Sequence, residues 1–112
     1  MPDGFVAVTR ATEVPPGAMR SVTLDRERVL IANVGGVFHA MRDSCGHQGA
    51  TLAPGTLFGY VVECPLHYAC YDVRTGKLLS GPRGVDLPTY RVVVEDDTVF
   101  VERPAGDAGG TA

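Results

Sequence analysis

Apolar and polar residues alternate in short runs along this chain, and no segment sustains the 3.6-residue period of a helix. Phe5–Arg10 and Met19–Leu24 read as strands, the second with Arg20 and Thr23 facing out. Residues 28–34 and 37–42 flank Gly35-Gly36, a two-residue hairpin signal. Residues 56–58 and 60–63 flank Gly59. Residues 71–73 and 77–79 flank a Thr75-Gly76 turn, and residues 90–95 and 98–102 flank Asp96-Asp97. Pro15-Pro16-Gly17 is a further turn and excludes a helix between residues 14 and 24. The pattern predicts an all-β chain of hairpins. The Gly- and Ala-rich stretch 104–112 has no apolar anchor and is expected to be a flexible tail.

Composition narrows the class. The chain has 112 residues, enough for one domain and one small core. Its 45% apolar and 21% charged residues are those of a soluble globular protein. A net charge of -3 argues against a nucleic-acid binder, which carries a basic patch. Neither a leader peptide nor an apolar run of membrane-spanning length is visible, so a soluble, cytoplasmic protein with no membrane contact is expected. In that setting three cysteines, two of them beside histidines, point to metal binding and not to disulfides.

The chemistry concentrates in residues 45–72. Cys45-Gly46-His47 and Cys64-Pro65-Leu66-His67 together read C-x-H-x16-C-x2-H, two thiolate and two imidazole donors. Both boxes follow predicted strands, so each is a loop at a hairpin tip, and the two tips can face each other. Gly46 and Gly49 permit close backbone approach, and Pro65 stiffens the second loop. Buried structural cysteines and histidines do not account for two mixed boxes. A Cys2His2 zinc module would be a legitimate tetrahedral site, although zinc fingers usually pair like with like. A [2Fe–2S] cluster with two histidines on one iron suits mixed boxes, because each loop then reaches both metals. Colour separates the last two readings.

The same residues resemble the Rieske iron–sulfur family. Residues 45–52, Cys-Gly-His-Gln-Gly-Ala-Thr-Leu, are similar to its first cluster loop. Cys64-Pro-Leu-His67 followed by residues 71–76 is similar to its second, and Gly81-Pro82 with Leu87-Pro88 and Tyr90 to its proline loop. The likeness runs over about residues 5–103. It implies an antiparallel β-sandwich-like base (domain 1–103) with a small cluster-binding subdomain of hairpin loops at about 42–84. It also implies one [2Fe–2S] cluster, with Cys45 and Cys64 on the inner iron and His47 and His67 on the outer iron. Two ferric ions, two sulfides and two thiolates sum to a neutral oxidised centre, whereas four thiolates would leave it doubly negative. Histidine ligation therefore raises the potential. Reduction makes the centre negative and should raise the pKa of the imidazole N–H groups.

Within the family, the resemblance implies a ferredoxin. High-potential respiratory members join their cluster loops by a disulfide at the positions of Ala50 and Leu66, and carry a serine at that of Ala69. Both features are absent here; Tyr71 alone matches them. A Rieske-type ferredoxin takes electrons from a flavin-dependent reductase and passes them to the terminal oxygenase of an aromatic-ring dioxygenase. It is a carrier and not an enzyme, plausible as a monomer, and the oxygenase chooses the substrate. The small subunit of an assimilatory nitrite reductase is the alternative within the family. Gln48, Leu66, Tyr68 and Pro82 are expected to form the rim that meets redox partners; Tyr68 stands where many members have glycine. Cys70 is read as a small side chain near the core and His39 as a half-buried strand residue. Asp72 and Arg74 could pair beside the second loop, with a solvated turn the preferred reading, and the acidic stretch 95–97 is read as a hairpin turn and not a docking patch.

Overall fold

The structure, a computed structural model, describes residues 4–24, 26–43, 52–65, 69–81 and 86–103. Cys45, His47, His67, Gln48, Ala50, Leu66, Tyr68, Pro82 and the stretch 104–112 lie outside the described residues. All regular elements among the described residues are strands, apart from a single 3-10 turn at Ala11–Glu13.

The middle of the molecule is a four-stranded antiparallel sheet of β2 (Met19–Leu24), β3 (Glu27–Val34), β4 (Val37–Arg42) and β9 (Thr89–Tyr90), in that order. Gly35 and Gly36 adopt φ of 61° and 98°, the left-handed pair that a two-residue hairpin requires, so β3 and β4 pair without a slip from Val34↔Val37 to Val29↔Arg42. Residues 29–33 of β3 are all buried, because this strand feeds a core on each face. Leu30 and Ala32 pack with Met41, Leu52, Val62, Cys64, Tyr71 and Val73. Val29 and Ile31 pack on the other side with Ala40, Val99 and Val101. A strand buried on both faces reads as a continuous apolar run, which is what Val-Leu-Ile-Ala provides.

One outer sheet joins the two ends of the domain. β1 (Phe5–Arg10) pairs with β11 (Thr98–Glu102), and β11 with β10 (Val92–Glu95). Asp96 and Asp97 make the β10–β11 turn at φ of 48° and 65°, so the acidic stretch is a hairpin turn as expected. The Asp97 carboxylate accepts from the Thr12 backbone N–H at 3.0 Å and from Arg10 Nε at 3.2 Å, which ties this tip to the 3-10 turn. The other outer sheet is β5 (Thr56–Phe58), β6 (Val61–Glu63), β7 (Cys70–Asp72) and β8 (Leu78–Ser80), each antiparallel to the next. This is the expected sandwich-like base with a smaller hairpin unit.

One expected element is corrected. The run 90–95 is not one strand. It breaks at Arg91: Tyr90 pairs with Ala40 in the middle sheet, whereas Val92 pairs with Val101 in the outer one. The chain crosses from one layer to the next there, and a single residue outside both ladders makes the corner.

Asn33 is a buried polar residue that serves local geometry. Its Nδ2 donates to the Val14 carbonyl at 2.7 Å and its Oδ1 accepts from the Gly36 N–H at 2.7 Å. Asn33→Ala strands both partners, a loss of about 2 kcal/mol that lowers the thermal midpoint by roughly 8 °C. A midpoint within experimental error of the parent would contradict this account.

Candidate metal centre

Cys64 is the one expected ligand among the described residues. It follows β6 directly and is wholly buried, at 0% exposure, against Val62, Leu52 and Tyr71. Its backbone N–H donates to the Ala69 carbonyl at 2.8 Å, so residues 64 and 69 close the connection between β6 and β7. The β6–β7 ladder continues from there through Glu63↔Cys70 and Val62↔Tyr71. The hairpin reading therefore places Cys64 correctly, at the tip of a ladder. Cys45, His47 and His67 fall outside the described residues, and the described residues by themselves contain no cluster of three metal-binding side chains.

The residues at the base of the first loop are described and are tightly held. Asp43 is buried, at 2% exposure. Its N–H donates to the Arg28 carbonyl at 2.9 Å. Its Oδ1 accepts from the N–H groups of Leu52 at 2.6 Å and Ala53 at 3.2 Å. Oδ2 is buried with no hydrogen-bond partner among the described residues. Sequence reading passed over Asp43; its only signal was an acidic residue two places before the first cysteine. Ala69 is buried too, and Gly81, the first residue of the third expected loop, lies against it. A Cβ at position 81 would stand 2.6 Å from the Ala69 Cα. Residues 69 and 81 thus meet backbone to backbone.

These features fit an iron–sulfur cluster. A thiol at 0% exposure is shielded from water and oxidants, and a main-chain bond between residues 64 and 69 closes its loop. The donor set encoded around it, two thiols and two imidazoles, is that of a mixed-ligand [2Fe–2S] centre. Tyr71, at 0% exposure, underlies the same ladder, and Cys70 is half-buried beside it, near the core as expected.

The turn expected at Asp72 and Arg74 is exposed, and the two side chains also pair within it. Arg74 Nη2 donates to Asp72 Oδ2 at 3.0 Å, and the guanidinium sits 4.1 Å from the centre of the Tyr60 ring. The Arg74 hydrogen bonds hold the Asp72 carboxyl below the usual carboxylate range. The pair forms because the β7 turn folds over Tyr60, which lies in the neighbouring β5–β6 turn. His39 is half-buried as expected and meets the Tyr60 ring edge-on at 6.0 Å. Burial, and then the Arg74 charge, push its pKa below the ordinary value, partly offset by Asp72.

Folding therefore favours neutral His39, and the unfolded chain takes up its proton at the higher pH. The stability tied to neutral His39 is complete above the unfolded value of about 6.5 and falls as pH drops through it toward the lower folded value. The thermal midpoint should decline between pH 7 and pH 5 for this reason, and His39→Gln should flatten that part of the profile. An equally steep decline in the variant would assign the loss to other groups.

Comparison with known proteins agrees with this chemistry. Residues 4–91 match the family profile described as the Rieske [2Fe-2S] domain. The biphenyl 2,3-dioxygenase ferredoxin component of Rhodococcus jostii (strain RHA1) is 42% identical over 94 residues, covering 84% of this chain and 88% of that protein. The biphenyl dioxygenase ferredoxin subunit of Pseudomonas sp. (strain KKS102) is 40% identical, covering 88% of this chain and 91% of that one. A chain in the complex of reduced oxygenase and oxidized ferredoxin in carbazole 1,9a-dioxygenase superposes with a TM-score of 0.81 at 34% identity, over 90% of this chain and 94% of that chain. Among the described residues no helix is long and apolar enough to cross a membrane. A zinc module is thereby set aside: the chain belongs to the Rieske [2Fe–2S] domain family, and the cofactor of that family is the [2Fe–2S] cluster.

Proposed function

We propose that this protein is a cytoplasmic one-electron carrier, fed by a flavin-dependent reductase and delivering to the terminal oxygenase of an aromatic-ring dioxygenase system. The observation that carries the reading is its likeness to ferredoxin components over most of their length. We assign Cys45 and Cys64 to one iron and His47 and His67 to the other, within a domain spanning 1–103 whose cluster-binding part is about 42–84. When bound, the cluster takes up and releases one electron.

The chain's own residues do the rest. Cys64 presents its thiol from a fully buried position, so water and small oxidants are kept from that side. The Cys64–Ala69 main-chain bond closes the base of the second loop, and Gly81, at the start of the third, lies against Ala69. We assign Gln48, Leu66, Tyr68 and Pro82 to the rim at which partners dock, and Leu66→Glu is expected to slow transfer from the reductase and to the oxygenase. An unchanged rate in that variant would remove Leu66 from the rim.

The test is electron paramagnetic resonance before and after dithionite, with iron and zinc assays, followed by reconstitution with a reductase and an oxygenase. A signal in the reduced sample only, with a low average g value and iron near two per chain, is expected. Oxygenase turnover should then depend on this protein. A colourless zinc-bearing sample would overturn the cluster assignment. A sound cluster that oxygenase components neither oxidise nor need would overturn the partner assignment alone.

A further inference from the structure

We propose that Asp43 is a positioning residue of the metal centre: one oxygen of its buried carboxyl closes the segment that carries Cys45 and His47. The inference rests on the ligand reading above.

The geometry is a clasp. Asp43 is the first residue after β4, and its backbone is part of the rigid middle layer. Arg42 N–H donates to the Pro88 carbonyl at 3.0 Å, and Asp43 N–H to the Arg28 carbonyl at 2.9 Å. From that anchor Oδ1 reaches across the segment 44–51 and takes the N–H groups of Leu52 and Ala53. Both ends of the segment are thus held at a single atom. Leu52, at 0% exposure, packs in the same core as Cys64. The clasp therefore ties the ends of the first loop to the core that positions the second loop's thiol.

The side chain suits this task. A carboxyl oxygen has two lone pairs and can accept two N–H groups at once. Asparagine keeps one such oxygen at the same reach. Alanine has none, and glutamate carries it one methylene too far. Releasing the clasp frees the ends of a segment that holds two of the four ligands, which favours the ligand-free state. Two hydrogen bonds of this kind correspond to about a tenfold or larger change in that equilibrium.

The experiment uses the cluster-loaded protein. It measures the decay of visible absorbance in excess chelator, alongside the thermal midpoint and amide exchange at Leu52. Asp43→Ala should lose the cluster about tenfold faster or more, with Leu52 exchange accelerated to a similar degree. Asp43→Asn should stay within about twofold of the parent. Val99→Ala destabilises the opposite core; it should lower the midpoint and leave cluster release unchanged. Parent-like release in Asp43→Ala, or equal acceleration in Val99→Ala, overturns the proposal. If Asp43→Ala does not fold, Asp43→Glu replaces it: accelerated release is expected, and parent-like release overturns the proposal. Cys45→Ala and His47→Ala test the ligand reading separately. A cluster retained in both refutes that reading. Loss of the cluster in both, with release unaffected in the Asp43 variants, refutes only the role of Asp43.

Discussion

Cys64→Ala is expected to yield a folded, colourless protein that contains no iron. Position 64 lies at 0% exposure in the core shared by Leu30, Met41, Val62 and Tyr71. Alanine fits that space, and losing one sulfur atom from it costs about 1 kcal/mol. The consequence for the metal is out of proportion to this cost. With one thiolate removed, the iron assigned to Cys45 and Cys64 has a single protein ligand left, and the other donors cannot replace a sulfur on that iron. Circular dichroism should retain the strand signal while the visible absorbance and the reduced-state resonance vanish. Retention of iron near two per chain would mean that Cys64 is a core residue and not a ligand. The zinc content of the same sample should be negligible, since three mixed donors make a poor tetrahedral site.

Gly76→Ala is expected to have the largest effect on stability of any glycine-to-alanine change among the described residues. Gly76 lies at φ of 76°, where a residue bearing a Cβ is strained. A methyl group there would overlap the Leu87 carbonyl oxygen, and the carbon of that carbonyl would be 2.9 Å away. Backbone cannot rotate aside as a side-chain tip can. Gly76 also donates to the Asp72 carbonyl and accepts from the Leu87 N–H, each at 2.7 Å, so the turn cannot move without losing one of these bonds. Strain and overlap together come to about 4 kcal/mol, enough to lower the midpoint by more than 10 °C in a domain of this size. Because Leu87 leads into β9, the damage should reach the join between the small sheet and the middle sheet. Hydrogen exchange should rise at Leu87 and at Asp72, and far less at Val99 in the opposite core. A midpoint shift below about 2 °C would show that the turn relaxes without breaking that join.

Much of the architecture is written locally. Gly35-Gly36, Thr75-Gly76 and Asp96-Asp97 each mark a turn, and strands run out from every one of them. Turn chemistry and alternation are properties of neighbouring residues, so they are readable without coordinates. The donor boxes are legible for the same reason. Cysteine and histidine at one- and two-residue separations mark a metal centre, and the resemblance to the Rieske family, with which the family match agrees, names the cluster.

Other features join residues that the chain order keeps apart. Arg74 lies over Tyr60, so the exposed turn read from the sequence carries an ion pair on an aromatic face. The break at Arg91 leaves no local mark, because 90–95 is uniformly strand-like and only the stacking of two sheets requires a corner there. Asp43 reads as one more acid before a cysteine until Leu52 and Ala53 are folded back onto it. The sequence by itself determined most of the strands, their turns and the donor set of the metal centre, because these depend on residues close along the chain. Tertiary structure alone decided which sheets face each other, where the chain changes layer and which buried carboxyl clasps the first loop, because each of these depends on residues brought together only by packing.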